Sequence, residues 1–189
     1  MLKKLAIAIS LLTLSTQANA RGIDFKLGSE MAELTYLTES STFGYGGADI
    51  GFGVLFTEDS DYQVNAKLLI SGNPAGNNKS LQFGVGGKLL FVEIDATNEN
   101  VGALAIAGQI RYIIPSSTPI AFRIGAAFAP SITSFSGADA FGEFEVAIEL
   151  EVTPSASAYL GYRKIQYDFE GGGEFELDDA AHVGIKFEF

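Results

Sequence analysis

Four glutamates, Glu143, Glu145, Glu149 and Glu151, fall at alternate positions of one segment, with Ala147 filling the gap. Such a row could ligate a hard cation, since calcium takes carboxylate oxygens. In an extended chain, residues two apart lie about 7 Å apart on one face. That is too far for one tight metal site without ligands from elsewhere. Bases are at hand: Arg111 and Arg123 in earlier segments, Arg163 in the next and Lys186 in the last. The row therefore reads as an ion-pair network, and no metal is expected. The chain has one histidine, His182, and no cysteine. Thiol catalysis, Cys metal sites and disulfides are excluded. A histidine base needs a carboxylate partner and a Ser or water to activate. Glu176, Asp178 and Asp179 stand near His182 in sequence, but any nucleophile must come from another segment. A polar rim residue is the expected role of His182, and a lipid- or peptide-active enzyme centred on it is the alternative. Gly51-x-Gly53 and Gly84-x-Gly86-Gly87 look like phosphate-binding turns, yet no helix follows them, so no cofactor is expected.

The elements that hold these residues are strands. Phe144, Val146, Ile148, Leu150 and Val152 alternate with the glutamate row. Leu104, Ile106, Ile110, Tyr112 and Ile114 alternate with Ala103, Ala105, Ala107, Gln109 and Arg111. Ile120 to Ala129 and Ala181 to Phe189 repeat the period-two pattern, which marks half-buried strands. Ten segments are counted, about 22–28, 31–38, 46–57, 61–71, 81–94, 101–114, 119–132, 140–152, 156–169 and 180–189. The first two could instead form one bent strand or a plug, so eight strands is the fallback. In 156–169 the phase slips near Lys164-Ile165, as a bulge or a strand end rising above a membrane would make it. Turn residues separate the segments, for example Pro115-Ser116-Ser117 and Thr153-Pro154-Ser155.

Side-chain size decides which face points outward. One face carries Phe, Ile, Leu, Val and Tyr; the other carries Gly, Ala and charges. The interior of a small barrel has room for small residues and a few long paired ones. An outer face against lipid needs bulk and no charge. The fold class expected is all-β, a small antiparallel transmembrane β-barrel of ten strands, with Arg111, Arg123, Glu143, Glu145, Glu149, Glu151, Arg163 and Lys186 paired in its lumen. Lys26, Lys67 and Lys88 would add positive charge there.

The first twenty residues read as an export signal: Lys3 and Lys4, an apolar run from Leu5 to Leu14, and a small-x-small site at Ala18 and Ala20. The domains expected are thus a cleaved signal over 1–20 and a barrel over 21–189. Cleavage removes two lysines and no acid, moving the formal charge from −11 to −13. Such a chain repels phosphate backbones, so no nucleic-acid partner is expected. The chain closes on Phe187 and Phe189 in its last strand, the pattern that barrel-assembly machinery reads. With both termini periplasmic, the predicted outer loops hold Glu58, Asp59 and Asp61, then Asp95 and Glu99, then Glu170 to Asp179. Divalent cations there could bridge to lipopolysaccharide.

Three Gly-rich strand fragments carry a resemblance. They are Phe83-Gly84-Val85-Gly86-Gly87-Lys88, Ala158-Tyr159-Leu160-Gly161-Tyr162-Arg163 and the ending His182 to Phe189. With them the mature chain resembles the YfaZ family of small bacterial outer-membrane proteins. The resemblance implies a location in the outer membrane and a barrel fold, with no activity to carry over. The functional expectation is a structural or interaction barrel with a closed, ion-paired lumen. A narrow pore for ions or small solutes is the alternative.

Overall fold

The computed structural model describes residues 20–40, 48–73, 80–95, 99–116, 119–169 and 172–189. Ala18 and the rest of the expected export signal up to residue 19 lie outside them. Eleven strands follow in order: β1 (Ala20–Gly28), β2 (Met31–Ser40), β3 (Ala48–Thr57), β4 (Tyr62–Gly72), β5 (Leu81–Ile94), β6 (Glu99–Ile114), β7 (Ile120–Ala129), β8 (Ser134–Phe135), β9 (Ala138–Thr153), β10 (Ala156–Phe169) and β11 (Glu174–Glu188). All but the two-residue β8 form a ring. Each pairs antiparallel with its neighbour in sequence, and β1 pairs with β11 to close it. The first two segments are separate strands of a hairpin, so the barrel has ten strands. Even strand number puts both chain ends at one rim, called here the termini end; the opposite rim is the distal end.

The outer surface is apolar around the ring. Phe25, Phe52, Phe83, Ile106, Phe122, Ile148, Leu160 and Val183 are among the exposed large hydrophobics, at least one from each of eight strands. A water-soluble sheet would turn these residues inward. Only a lipid surround gives them an apolar environment.

The interior is in two storeys. Towards the distal end Leu55, Leu90, Ile94, Val101, Phe141, Ile165 and Tyr167 are each at most 1 % exposed. The Phe141 and Tyr167 rings lie 5.1 Å apart, and the Tyr167 hydroxyl donates to Gln63 Oε1 at 2.6 Å. Below this apolar layer the lumen is charged.

Two segments depart from the sequence reading. The acidic stretch from Glu174 to Asp179, expected as an outer loop, is the first part of β11. It pairs with Lys164 to Asp168 of β10, across a register shift at Ile165/Gln166 that leaves Leu177 as an extra residue on β11. The bulge turns both Leu177 and Asp178 inward. The segment expected over 119–132 ends at Ala129, because Pro130 cannot continue the ladder. A 3-10 turn, Ser131–Thr133, follows, and β8 then pairs with β6 beyond the end of β7.

Candidate functional site

The charged storey begins at Arg163, which lies on β10 just below Ile165 and is 1 % exposed. Its Nε donates to Asp178 Oδ2 at 2.8 Å, and its Nη1 donates to Glu33. One buried guanidinium thus joins β10 to β11 and, across the lumen, to β2. Lys26 on β1 reaches Glu33 at 3.6 Å and Glu145 at 2.9 Å. Glu145 is the hub of the network. It also takes Arg123 Nη2 at 3.3 Å and lies 3.2 Å from His182 Nε2. Further towards the termini end, Glu149 bridges two arginines that face each other across β6 and β7. Arg111 Nε is 2.8 Å from one of its oxygens and Arg123 Nε is 3.1 Å from the other. Lys88 pairs with Glu143.

Among the described residues, the paired lumen carboxylates are Glu33, Glu143, Glu145, Glu149 and Asp178, with Asp24 accepting the Tyr159 hydroxyl at 2.6 Å. The cations are Lys26, Lys67, Lys88, Arg111, Arg123 and Arg163. Within the charged storey these six acids match the six cations, with the buried Asp61 lying apart at the distal mouth. That balance is what a low-dielectric interior demands, since an unpaired ion there costs several kcal/mol. Lys67 alone has no ion pair within the described residues. It borders a gap of about 40 Å³ with Lys88, Gln109, Glu143 and Glu145, about the space of a single water.

Of the eight residues the sequence assigns to the network, Arg111, Arg123, Glu143, Glu145, Glu149 and Arg163 come together. Glu151 shares their face but is exposed near the termini rim. Lys186 is also near that rim, paired with Glu188 at 2.5 Å. Alternation gives the face of a residue and not its depth. Glu33, Asp178 and Asp24 were missed. Glu33 sits in a weakly patterned strand, and Asp178 is turned inward by a bulge on β11, opposite the place near Lys164-Ile165 where the sequence phase slips.

His182 is a correction. It was expected at the rim, but β11 starts at Glu174, so His182 falls in mid-strand, with its side chain fully buried. It and Tyr159 form two reciprocal pairs with glycines on the facing strand. Tyr159 stands opposite Gly184 and His182 opposite Gly161. A Cβ on either glycine would run into the facing ring. The rings meet edge to face with centroids 5.9 Å apart, and Arg123 lies over Tyr159 at 5.2 Å. Among the described residues neither ring nitrogen of His182 makes a well-aligned hydrogen bond, although Nε2 lies 3.2 Å from Glu145 Oε1.

At the distal mouth, a cavity of about 240 Å³ is bordered by Glu30, Glu58, Asp59, Asp61, Glu176 and Asp179, over a floor that includes Met31 and Leu177. Among the described residues no three His, Asp or Glu side chains converge as a metal cage. Phe187 lies on the outer, lipid-facing side of β11 and Phe189 follows the strand's last residue; both are exposed.

A closed ring of ten antiparallel strands, apolar outside and ion-paired within, defines a transmembrane β-barrel. Residues 2–189 match the sequence profile described as YfaZ precursor, and the chain belongs to that family. No curated protein matches the sequence. Three solved structures are similar in outline. A bacterial polysaccharide outer membrane secretin has 9 % identity and a TM-score of 0.48, over 88 % of this chain and 67 % of that one. The outer membrane channel DcaP of Acinetobacter baumannii has 12 % identity and a TM-score of 0.42, with 88 % of this chain covering 54 % of its length. The NanC porin has 14 % identity and a TM-score of 0.45, over 90 % of this chain and 98 % of that one.

Proposed function

We propose that the protein is a structural or interaction barrel of the bacterial outer membrane with a closed lumen and no enzymatic role. The observation that carries closure is the distal apolar layer. Seven large side chains, each at most 1 % exposed, lie across the lumen above the ion-pair network. Ten strands leave little more than the width of such side chains. An ion moving through would have to break paired charges and then cross an apolar layer.

The outer membrane is supported by the export pattern at residues 1–20 and by the closed barrel architecture itself. It is also supported by the height of the apolar band. On β9 the outward residues run from Phe144 to Val152, about 26 Å along the strand and about 20 Å along the membrane normal at a tilt near 40°. That suits a bilayer thinner than average. Lipid meets the band, and the barrel-assembly machinery would read Phe187 and Phe189. Divalent ions at the acidic distal mouth would share their ligands with lipopolysaccharide phosphate, since the described residues offer no complete cage.

Planar-bilayer recording tests closure. Residues 21–189 are refolded in detergent, and only material with a heat-modifiable gel shift is used. Silence is the expected result. Discrete conductance steps that change when Arg111 or Glu145 is replaced would establish the narrow pore instead.

A further inference from the structure

We infer that the turn between β7 and β9, residues 130–137, is a membrane-contacting foot that sets Ile132 among the lipid acyl chains at the distal rim. This rests on the membrane reading of the outer band.

Ile132 is 88 % exposed, the most exposed large hydrophobic among the described residues. The segment Pro130-Ser131-Ile132-Thr133-Ser134-Phe135 has no charge, whereas the other distal turns carry Glu30, Glu58, Asp59 and Asp95. The turn is built to hold its shape. The carbonyl of Pro130 accepts the backbone N–H of Thr133 at 2.9 Å and of Ser134 at 3.1 Å. It also accepts the hydroxyls of both residues, at 3.2 and 3.1 Å.

The turn's height is fixed by its flanks. The β6·β7 ladder ends at Ile106 and Phe128, and the chain returns to β6 as β8, with Phe135 opposite Gly102. Ile132 therefore lies between Phe128 and Phe135, both on the outer face. Phe135 packs edge-on to Phe91, with centroids 5.6 Å apart. It covers Gly102 so closely that a Cβ there would enter its ring. Phe91 is the last apolar outward residue of β5 before Glu93, which the Tyr62 hydroxyl engages. Phe91, Leu104, Phe128 and Phe135 thus form the upper edge of the lipid-facing band, and Ile132 stands in the uncharged turn that joins two of them. Continuity with that band identifies the occupant as hydrocarbon. An apolar side chain held rigidly in water would gain nothing, whereas the acyl boundary removes it from water.

Because the chain has no cysteine, single-cysteine variants carry one spin label each. Ile132→Cys is compared in lipid vesicles with Ile148→Cys, in the band, and Asp59→Cys, in the acidic β3–β4 turn. Collision with oxygen reports lipid, and collision with a water-soluble nickel chelate reports water. Ser131→Cys replaces Ile132→Cys if the latter gives no heat-modifiable barrel. The label at Ile132 is expected to follow Ile148, with an oxygen-to-nickel ratio several-fold above that at Asp59. A ratio matching Asp59, with Ile148 still in lipid, overturns the foot alone. Shielding from both reagents overturns the lipid assignment in favour of a protein partner or a second copy. Nickel access at Ile148 overturns the membrane reading itself.

Discussion

Along β10, residues 156–163 turn Leu160 and Tyr162 outward and Tyr159 and Arg163 inward, whereas residues 164–168 turn Lys164, Gln166 and Asp168 outward and Ile165 and Tyr167 inward. β11 makes the same exchange. Val183 and Ile185 face out over a lumen-facing His182, but Glu176 and Asp179 face out around a buried Leu177. β10 keeps its pleat across the boundary and β11 crosses it with the bulge at Leu177; on both, the solvent is exchanged. The lower part follows the rule for lipid, and the upper part follows the rule for water. Outward pairs in the upper part, Lys164 with Glu176 and Asp179, and the Tyr162 hydroxyl with Asp179, are those of a water-facing rim. The barrel is a membrane-spanning ring whose β10 and β11 rise beyond the lipid as a water-facing extension.

The largest effect should come at the joint between the two. Arg163→Leu strands Glu33 and Asp178 as buried unpaired carboxylates, so a loss of about 3–5 kcal/mol is expected in denaturant unfolding from vesicles. Adding Glu33→Gln and Asp178→Asn should recover part of it; no recovery would mean that Arg163 acts through packing. A second test reads the outer surface directly. Leu160→Arg faces lipid and should cost about 2–4 kcal/mol. Gln166→Arg, six residues along on the same face, should stay within about 0.5 kcal/mol. Equal costs would abolish the boundary between lipid and water. The smallest effect belongs to the lower storey. Gly184→Ala pushes a methyl into the Tyr159 ring and should cost about 1–3 kcal/mol through overpacking. Tyr159→Ala should relieve part of that cost in the double variant.

This exchange of rules also explains what could be read in the chain and what could not. Strands from Leu81 to Phe169 are legible to within a few residues, because lipid on one side and ion pairs on the other keep the period-two signal strong. The family is legible from Gly-rich strand fragments. At Lys164 the hydrophobic phase reverses without any break in the strand, and period alone reads that as a slip. The same reversal makes Glu174 to Asp179 look like a loop, when their acids are the outward face of a strand in water. From that error follows the misplacement of His182, whose depth depends on where β11 begins. The glutamate row was legible as a lumen face, since its bases lie on neighbouring strands. Lys26, more than a hundred residues earlier, was legible as a lumen charge too, but no local pattern assigns it to Glu145 or points to Glu33, which pairs with Lys26 and Arg163.

The seam between β1 and β11 has a kinetic consequence. Every other pairing in the ring joins strands that are neighbours in sequence, so each can form as a local hairpin. The seam joins Gly22 to Glu188 and Gly28 to His182, closing a loop of about 160 residues at an entropic cost on the order of 4 kcal/mol. Lys26 reaches Glu145, and Arg163 reaches Glu33, only when that loop shuts. Before then the chain is an open ribbon with two unpaired edges, holding only the ion pairs between neighbouring strands, such as Arg123 with Glu149 and Arg163 with Asp178. Completion of the ring is therefore the slow, all-or-none event in folding, and an unassembled chain must be kept from pairing its free edges with another copy until the last strand arrives.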